Sequence, residues 1–305
     1  MPLDPQCEGI VDRWRAWRAT APLPTLAEAR SRRPIYSDAT RALIARTEDR
    51  EIAGPAGMIP LRCYWPEQPP AGMLLYFHGG GFIAGSIEGV DGECRMLASA
   101  SGCLVVSADY RLAPEHPYPA GVDDGYAALR WAFGEAERLG GLRLAVGGES
   151  AGGTIATVAC MKARDLGEPV PAAQLLIYPG INLIHETPER AELVAGRYLF
   201  DPELLDWLNG HYCRDRAQFD EPYCAPVKAT DLTGLPPALV IAGEYDPLRF
   251  ENADYAERMT AAGVATDFRL YPGAIHGFVG AFEIVDTGRQ ALGDAAAWLR
   301  RAVSV

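Results

Sequence analysis

Short aliphatic and β-branched runs recur along this chain, separated by segments long enough to be helices. The runs are MLLYF (73–77), CLVVSADY (103–110), LRLAVGG (142–148), AQLLIY (173–178), PALVIAG (237–243) and TDFRLY (266–271). Bounded by Gly and Pro, runs of this kind predict strands buried on both faces of a sheet. Between them, residues 91–100, 121–138, 151–165, 249–262 and 284–302 predict helices. Strand–helix alternation implies parallel strands joined by right-handed crossovers. Upstream, EDREIAGPAGMIPLRCYWP has two strand-like halves around Gly-Pro-Ala-Gly, which predicts an antiparallel hairpin at the start of the sheet. The expected fold class is α/β, with about eight strands, the first antiparallel and the rest parallel, flanked by helices.

Two segments break this alternation. Residues 1–46 read as helical, with Trp14 and Trp17 spaced to share one face. Residues 181–225 separate two strands by far more than an ordinary loop and contain a helical stretch, DPELLDWLNGHY. Ligands of open α/β sheets bind at the carboxyl ends of the strands. Both segments are therefore read as a helical cap over that end: residues 1–46 as an N-terminal cap, and 181–225 as a second cap segment inserted in the main α/β domain spanning 47–305.

Composition narrows the function classes. With 49% hydrophobic and 22% charged residues in 305, a sizeable core can form. A net charge of −12 without any Lys/Arg block argues against a nucleic-acid groove. No apolar run is long enough to span a bilayer. The N-terminus, MPLDPQCEGIVDRWRAWRAT, lacks the apolar core of a secretory signal, so a cytoplasmic location is expected. The seven cysteines (Cys7, Cys63, Cys94, Cys103, Cys160, Cys213 and Cys224) are scattered without a CxxC pair. They read as reduced structural thiols, and no metal is expected.

The chemistry concentrates in a few places. Gly148-Glu149-Ser150-Ala151-Gly152 follows a predicted strand and opens a predicted helix. With eight serines and 32 glycines in the chain, Gly-x-Ser-x-Gly arises by chance only about 0.1 times. The setting is that of a nucleophile elbow, a tight turn that leaves no room for flanking side chains and holds Ser150 at the end of the sheet. A serine hydroxyl needs a base. Of five histidines, His78 and His116 precede Ser150, and His185 and His211 lie in the long insert. His276 follows the last strand on a Gly-flanked loop and is the candidate base. The orienting acid should end the preceding strand, where Asp246 stands in VIAGEYDPL with Glu244 as a rival. Asp254 and Asp267 fall within a predicted helix and strand. Negative charge developing on a substrate oxygen needs preorganised N–H groups. The backbone of Ala151, and of Gly80 and Gly81 in His78-Gly79-Gly80-Gly81-Phe82, can supply them, with Gly79 shaping the turn.

HGGGF at 78–82, DYRLAPEHPYPA at 109–120, GESAGG at 148–153, EYDPL at 244–248 and HGF at 276–278 together resemble the hormone-sensitive-lipase-like (bacterial family IV) esterases of the α/β-hydrolase superfamily. The resemblance covers roughly residues 45–303. It implies an α/β-hydrolase fold and cofactor-free hydrolysis of short- to medium-chain carboxylic esters as small-molecule substrates. It also implies a cap formed by the N-terminal helices and the insert, and leaves a homodimer open. In DYRLAPEHPYPA, the prolines and the Arg111 and Glu115 charges read as braces for loops around the site, and His116 as structural. One departure is Glu149, where a large subgroup has Asp; the carboxylate is kept with a longer reach. The same machinery could serve an amidase, a deacetylase or an acyltransferase. A non-catalytic receptor on this scaffold is expected to lack a catalytic residue, whereas Ser150, Asp246 and His276 are all present. Trp14, Trp17, Phe82, Trp207 and Tyr212 are candidates either for lining the pocket or for ordinary core packing.

Overall fold

The computed structural model describes residues 1–21, 23–31, 42–183 and 187–304. The hairpin forms as β1 (Arg46–Gly54) and β2 (Gly57–Trp65), with Gly54 opposite Gly57 across the turn. β3 (Met73–Phe77), β4 (Leu104–Ala108), β5 (Leu144–Glu149), β6 (Ala173–Ile177), β7 (Ala238–Gly243) and β8 (Thr266–Tyr271) then run parallel to one another. The eight-stranded order is β1-β2-β4-β3-β5-β6-β7-β8, with β2 antiparallel to both neighbours. Every residue of β3, β4, β6 and β7 is buried, as their uninterrupted apolar runs require.

The helices cover both faces. α3 (Asp91–Ser101) and α9 (Asp286–Val303) pack on one face, where α1 (Pro5–Thr20) adds Cys7 and Val11. α4 (Ala120–Arg138), α5 (Ala151–Asp165) and α8 (Arg249–Ala261) fill the other. β3 shows the division: Met73, Leu75 and Phe77 point into the second core, Leu74 and Tyr76 into the first.

The expectation of burial on both faces fails for β8. It is an edge strand with only Tyr271 buried, and Phe268 and Leu270 are 37% and 44% exposed. Thr266, Asp267 and Arg269 in this run are the polar positions that an edge strand can keep in water.

In the N-terminal segment, α1 and α2 (Leu26–Ser31) are helical; residues 22 and 32–41 lie outside the described residues. Trp17 is 37% exposed, so α1 is seated by Cys7, Val11 and Arg18 rather than by its tryptophans. In the long insert, the stretch read as helical is α7 (Pro202–Tyr212), capped by Asp201, whose Oδ1 accepts the Leu204 N–H at 2.9 Å. A second insert helix, α6 (Pro188–Ala195), was not anticipated, although Thr187-Pro188 at its start is an N-cap followed by proline at the first helical position. Arg18 Nε lies 2.8 Å from Asp201 Oδ2 and its Nη2 2.6 Å from Glu203 Oε2, tying α1 to the start of α7.

The seven cysteines are buried and free; Cys213 Sγ and Cys224 Sγ lie 3.1 Å apart. Among the described residues, no helix is long and apolar enough to cross a membrane, and no cluster of three metal-ligating side chains forms.

The contrast between central and edge strands is testable by chemical denaturation. Leu75→Ala is expected to cost about 2–5 kcal/mol through transfer and cavity terms. Leu270→Ala should cost less than about 1 kcal/mol, because its side chain is already partly in water. Equal losses at the two positions would contradict this sheet order.

Candidate active site

The sheet register brings the motifs together. Phe77 of β3 pairs with Gly148 of the parallel neighbour β5, so the glycine turn and the serine turn leave the sheet side by side. Gly243 of β7 likewise pairs with Tyr271 of β8, which places the Asp246 and His276 loops next to each other.

Ser150 sits between β5 and α5 with φ 51° and ψ −119°, a conformation that non-glycine residues adopt only when their surroundings impose it. Close backbone approach imposes it here. A Cβ on Gly152 would stand 2.0 Å from Phe77 O and 2.5 Å from His78 O, so only glycine lets α5 start against the end of β3. Ser150 N–H donates to Ile177 O at 2.9 Å, anchoring the turn on β6 as well.

The hydroxyl meets the expected partners. Ser150 Oγ is 3.0 Å from His276 Nε2, and His276 Nδ1 is 2.8 Å from Asp246 Oδ2. Asp246 is fully buried, and its Oδ1 accepts the Leu248 N–H at 2.8 Å. The His276 ring packs against Tyr178 and Phe200, with centroids 4.7 and 5.0 Å away. The rival Glu244 is engaged elsewhere, accepting from the Met1 amine at 2.7 Å and the Gly273 N–H at 2.8 Å. Neither His78 nor His116 nor His211 joins the group. His78 is buried and stacked on Tyr110, with burial holding it below the ordinary imidazole range. His116 is exposed, and His211 Nδ1 bonds Trp207 O at 2.7 Å. His185 lies outside the described residues.

Beside Ser150, Gly80 and Gly81 turn through φ 117° and 62°. A Cβ on Gly80 would lie 2.2 Å from Ala84 O, so the turn cannot accept a side chain there. Among the described residues, the N–H groups of Gly80, Gly81 and Ala151 find no acceptor, while all three residues line the same cavity as Ser150 and His276. Unfilled donors facing a cavity are what a developing oxyanion requires.

Glu149 explains the departure in the elbow motif. Its Oε1 accepts the Gly79 N–H at 3.2 Å and its Oε2 the Tyr178 hydroxyl at 2.7 Å, so one carboxylate links the glycine turn to the aromatic ring beside His276. DYRLAPEHPYPA does brace the surroundings. Tyr110 donates to His78 O at 2.8 Å, Arg111 pairs with Asp124 at 2.8 Å, and Arg30 of α2 pairs with Glu115 at 2.6 Å.

The cavity, of about 450 Å³, opens over Ser150 between these loops, α2, α6 and α7. Its apolar wall includes Phe82, Leu199, Phe200, Leu205, Trp207 and Leu208. Of the aromatic candidates, Phe82 and Trp207 line it. Trp14, Trp17 and Tyr212 do not, and Tyr212 instead stacks beneath Phe82 at 3.7 Å. Arg190 was missed from sequence. It is buried, lines the cavity and ion-pairs with Glu251, joining α6 to α8 behind Asp246. A polar residue paired across 61 positions leaves no periodic signal in the chain.

Gly152→Ala tests the packing at the elbow. The added methyl cannot clear two backbone carbonyls, so a loss of at least about 1–3 kcal/mol in thermal or chemical unfolding is expected. A variant as stable as the wild type would show that α5 and β3 are less tightly apposed.

Comparison with known proteins bears on the family. A family model described as the alpha/beta hydrolase fold matches residues 74–280. The chain is 39% identical over 267 residues to esterase LipI of Mycobacterium tuberculosis, covering 85% of this chain and 81% of that protein. It is 41% identical over 268 residues to carboxylesterase NlhH of the same organism, covering 85% and 83%. The solved structure of a hyperthermophilic esterase from the archaeon Pyrobaculum calidifontis superposes with a TM-score of 0.90 at 37% identity, covering 100% of both chains. The chain belongs to the α/β-hydrolase fold family, in its hormone-sensitive-lipase-like esterase branch.

Proposed function

We propose that this protein is a carboxylesterase that hydrolyses short- to medium-chain carboxylic esters through an acyl-enzyme on Ser150. The observation that carries the reading is the continuous chain Ser150 Oγ–His276–Asp246, at 3.0 and 2.8 Å, beside three unfilled backbone N–H groups in one cavity. Buried Asp246 fixes the imidazole with Nδ1 protonated, leaving Nε2 free to take the serine proton. Ser150 Oγ attacks the ester carbonyl, and the N–H groups of Gly80, Gly81 and Ala151 receive the oxyanion. The His276 imidazolium protonates the leaving alcohol. Water, deprotonated by His276, then attacks the acyl-enzyme, and the imidazolium returns that proton to Ser150 Oγ as the bond to it breaks and the carboxylic acid leaves. Each oxyanion donor is worth about 3–4 kcal/mol at this step.

The apolar walls favour an uncharged acyl or alcohol chain, and a cavity of about 450 Å³ is of ordinary size for a small molecule. The N-terminal residues 1–46 and the insert 181–225 act as its cap. α2, α6 and α7 contribute walls, and Arg18 with Asp201 binds the two cap segments to each other.

Hydrolysis of p-nitrophenyl esters from acetyl to palmitoyl tests the reading. Activity is expected to peak on the shorter chains and to disappear in Ser150→Ala. Asp246→Asn should lower kcat by about 10⁴-fold by allowing the wrong tautomer. A folded wild type inert on every ester, or a Ser150→Ala variant with undiminished turnover, would refute it.

A further inference from the structure

A second carboxyl group is buried behind the oxyanion turn. Glu93, on α3, is 2% exposed, and its Oε2 accepts the Tyr76 hydroxyl at 3.2 Å. It faces Glu149 across the backbone of Gly280: a Cβ there would lie 3.0 Å from Glu93 Oε1 and 4.0 Å from Glu149 Oε2. Those two oxygens are therefore no more than about 7 Å apart, and although Glu149 is half-buried at the cavity, a charge on the buried Glu93 would be screened little from it. No Lys or Arg pairs with either carboxyl group among the described residues. The donors available are neutral: the Tyr76 and Tyr178 hydroxyls and the Gly79 N–H. Glu149 takes two of them and Glu93 only one.

We propose that Glu93 is a positioning residue: as a neutral, protonated acid it sets no second charge against Glu149, which stays free to hold Gly79 and Tyr178 in place. Glu149 grips the turn through Gly79 and the base through Tyr178, whose ring packs on His276. Ionising Glu93 would set a like charge against that grip. Burial, and secondarily the Glu149 charge, push the Glu93 carboxyl well above the usual range, while the Tyr76 hydrogen bond works the other way. The surrounding titratable groups do not supply a compensating cation. The Tyr76 and Tyr178 hydroxyls and the Cys94 thiol are pushed up by burial, and His78 is pushed down. Asp91 pairs with Arg95 at 2.8 Å, and Asp109 Oδ1 accepts the Ile87 N–H at 2.7 Å.

The pH dependence has a definite sign. Below the ordinary carboxyl pKa, Glu93 is protonated folded or unfolded. Above it the unfolded chain loses the proton while the folded chain keeps it, so Glu93 costs progressively more stability as pH rises. Glu93→Gln removes this titration and keeps the shape. Followed from about pH 5 to pH 10, its Tm relative to wild type is expected to rise and then level off where Glu93 ionises in the folded chain, and above that point its kcat on a p-nitrophenyl ester should exceed wild type severalfold with KM unchanged. Parallel Tm and kcat profiles in the two proteins would overturn the proposal. A Tm advantage without any kcat difference would overturn the positioning role, leaving Glu93 merely buried. If Glu93→Gln does not fold, Glu93→Met carries the same expectations.

The kinetic consequence rests on the esterase reading, but the Tm comparison does not. A wild type without ester hydrolysis would sink that reading, and the Tm profiles would still decide whether Glu93 holds a buried proton.

Discussion

Ser150 occupies a backbone conformation that a free peptide avoids, and the site is arranged around that strained residue. Strain of this kind costs of the order of 1–3 kcal/mol and survives only where neighbours over-determine it. Here β3 and β6 do so, the first by pressing its terminal carbonyls onto Gly152 and the second by accepting the Ser150 N–H. The turn then starts α5 with the Ala151 N–H unfilled at the cavity, so one local distortion places both the proposed nucleophile and a donor of the proposed anion site. The parallel register of β3 against β5 delivers the glycine turn to the same place. A sheet with another strand order would separate these two loops.

Electrostatics around the turn is unusual in that carboxyl groups dominate it. Asp246, Glu149 and Glu93 cluster around the loops that carry the site, and Arg190, a buried cation lining the cavity, is committed to Glu251. Asp246 is satisfied by His276 and the Leu248 N–H, Glu149 by the glycine turn and Tyr178, and Glu93 by Tyr76. Each carboxyl group is thus tied to a neighbouring element by a hydrogen bond, which orients that element at the expense of burying a polar group. Burial of Asp246, Glu93 and Tyr76 keeps water from their hydrogen bonds and so strengthens them.

Much of this was legible in the chain. The β3, β5 and β7 runs, the elbow glycines, the glycine turn and the order Ser150, Asp246, His276 are local signals, each written within a few residues. What was illegible is tertiary. TDFRLY differs from the central runs in its polar Thr266, Asp267 and Arg269, but that β8 has a neighbour on one side only comes from the sheet order. Arg190 and Glu251, like Glu93 and Glu149, are polar residues on separate elements, and nothing in the spacing of either pair announces that folding will bury them together. Tyr212 ends α7 like any helical aromatic, and only packing turns it under Phe82 rather than into the cavity. The α6 start was written in Thr187-Pro188 but lay within a segment otherwise lacking periodicity.

Covalent capture of the nucleophile tests the central claim most directly. The protein should be treated with a p-nitrophenyl phosphonate ester, followed by intact-mass measurement and peptide mapping. The account predicts one phosphonyl adduct per chain, on Ser150, with one equivalent of p-nitrophenol released and much slower labelling in His276→Ala. An adduct on another residue, or a folded protein left unlabelled, would contradict it.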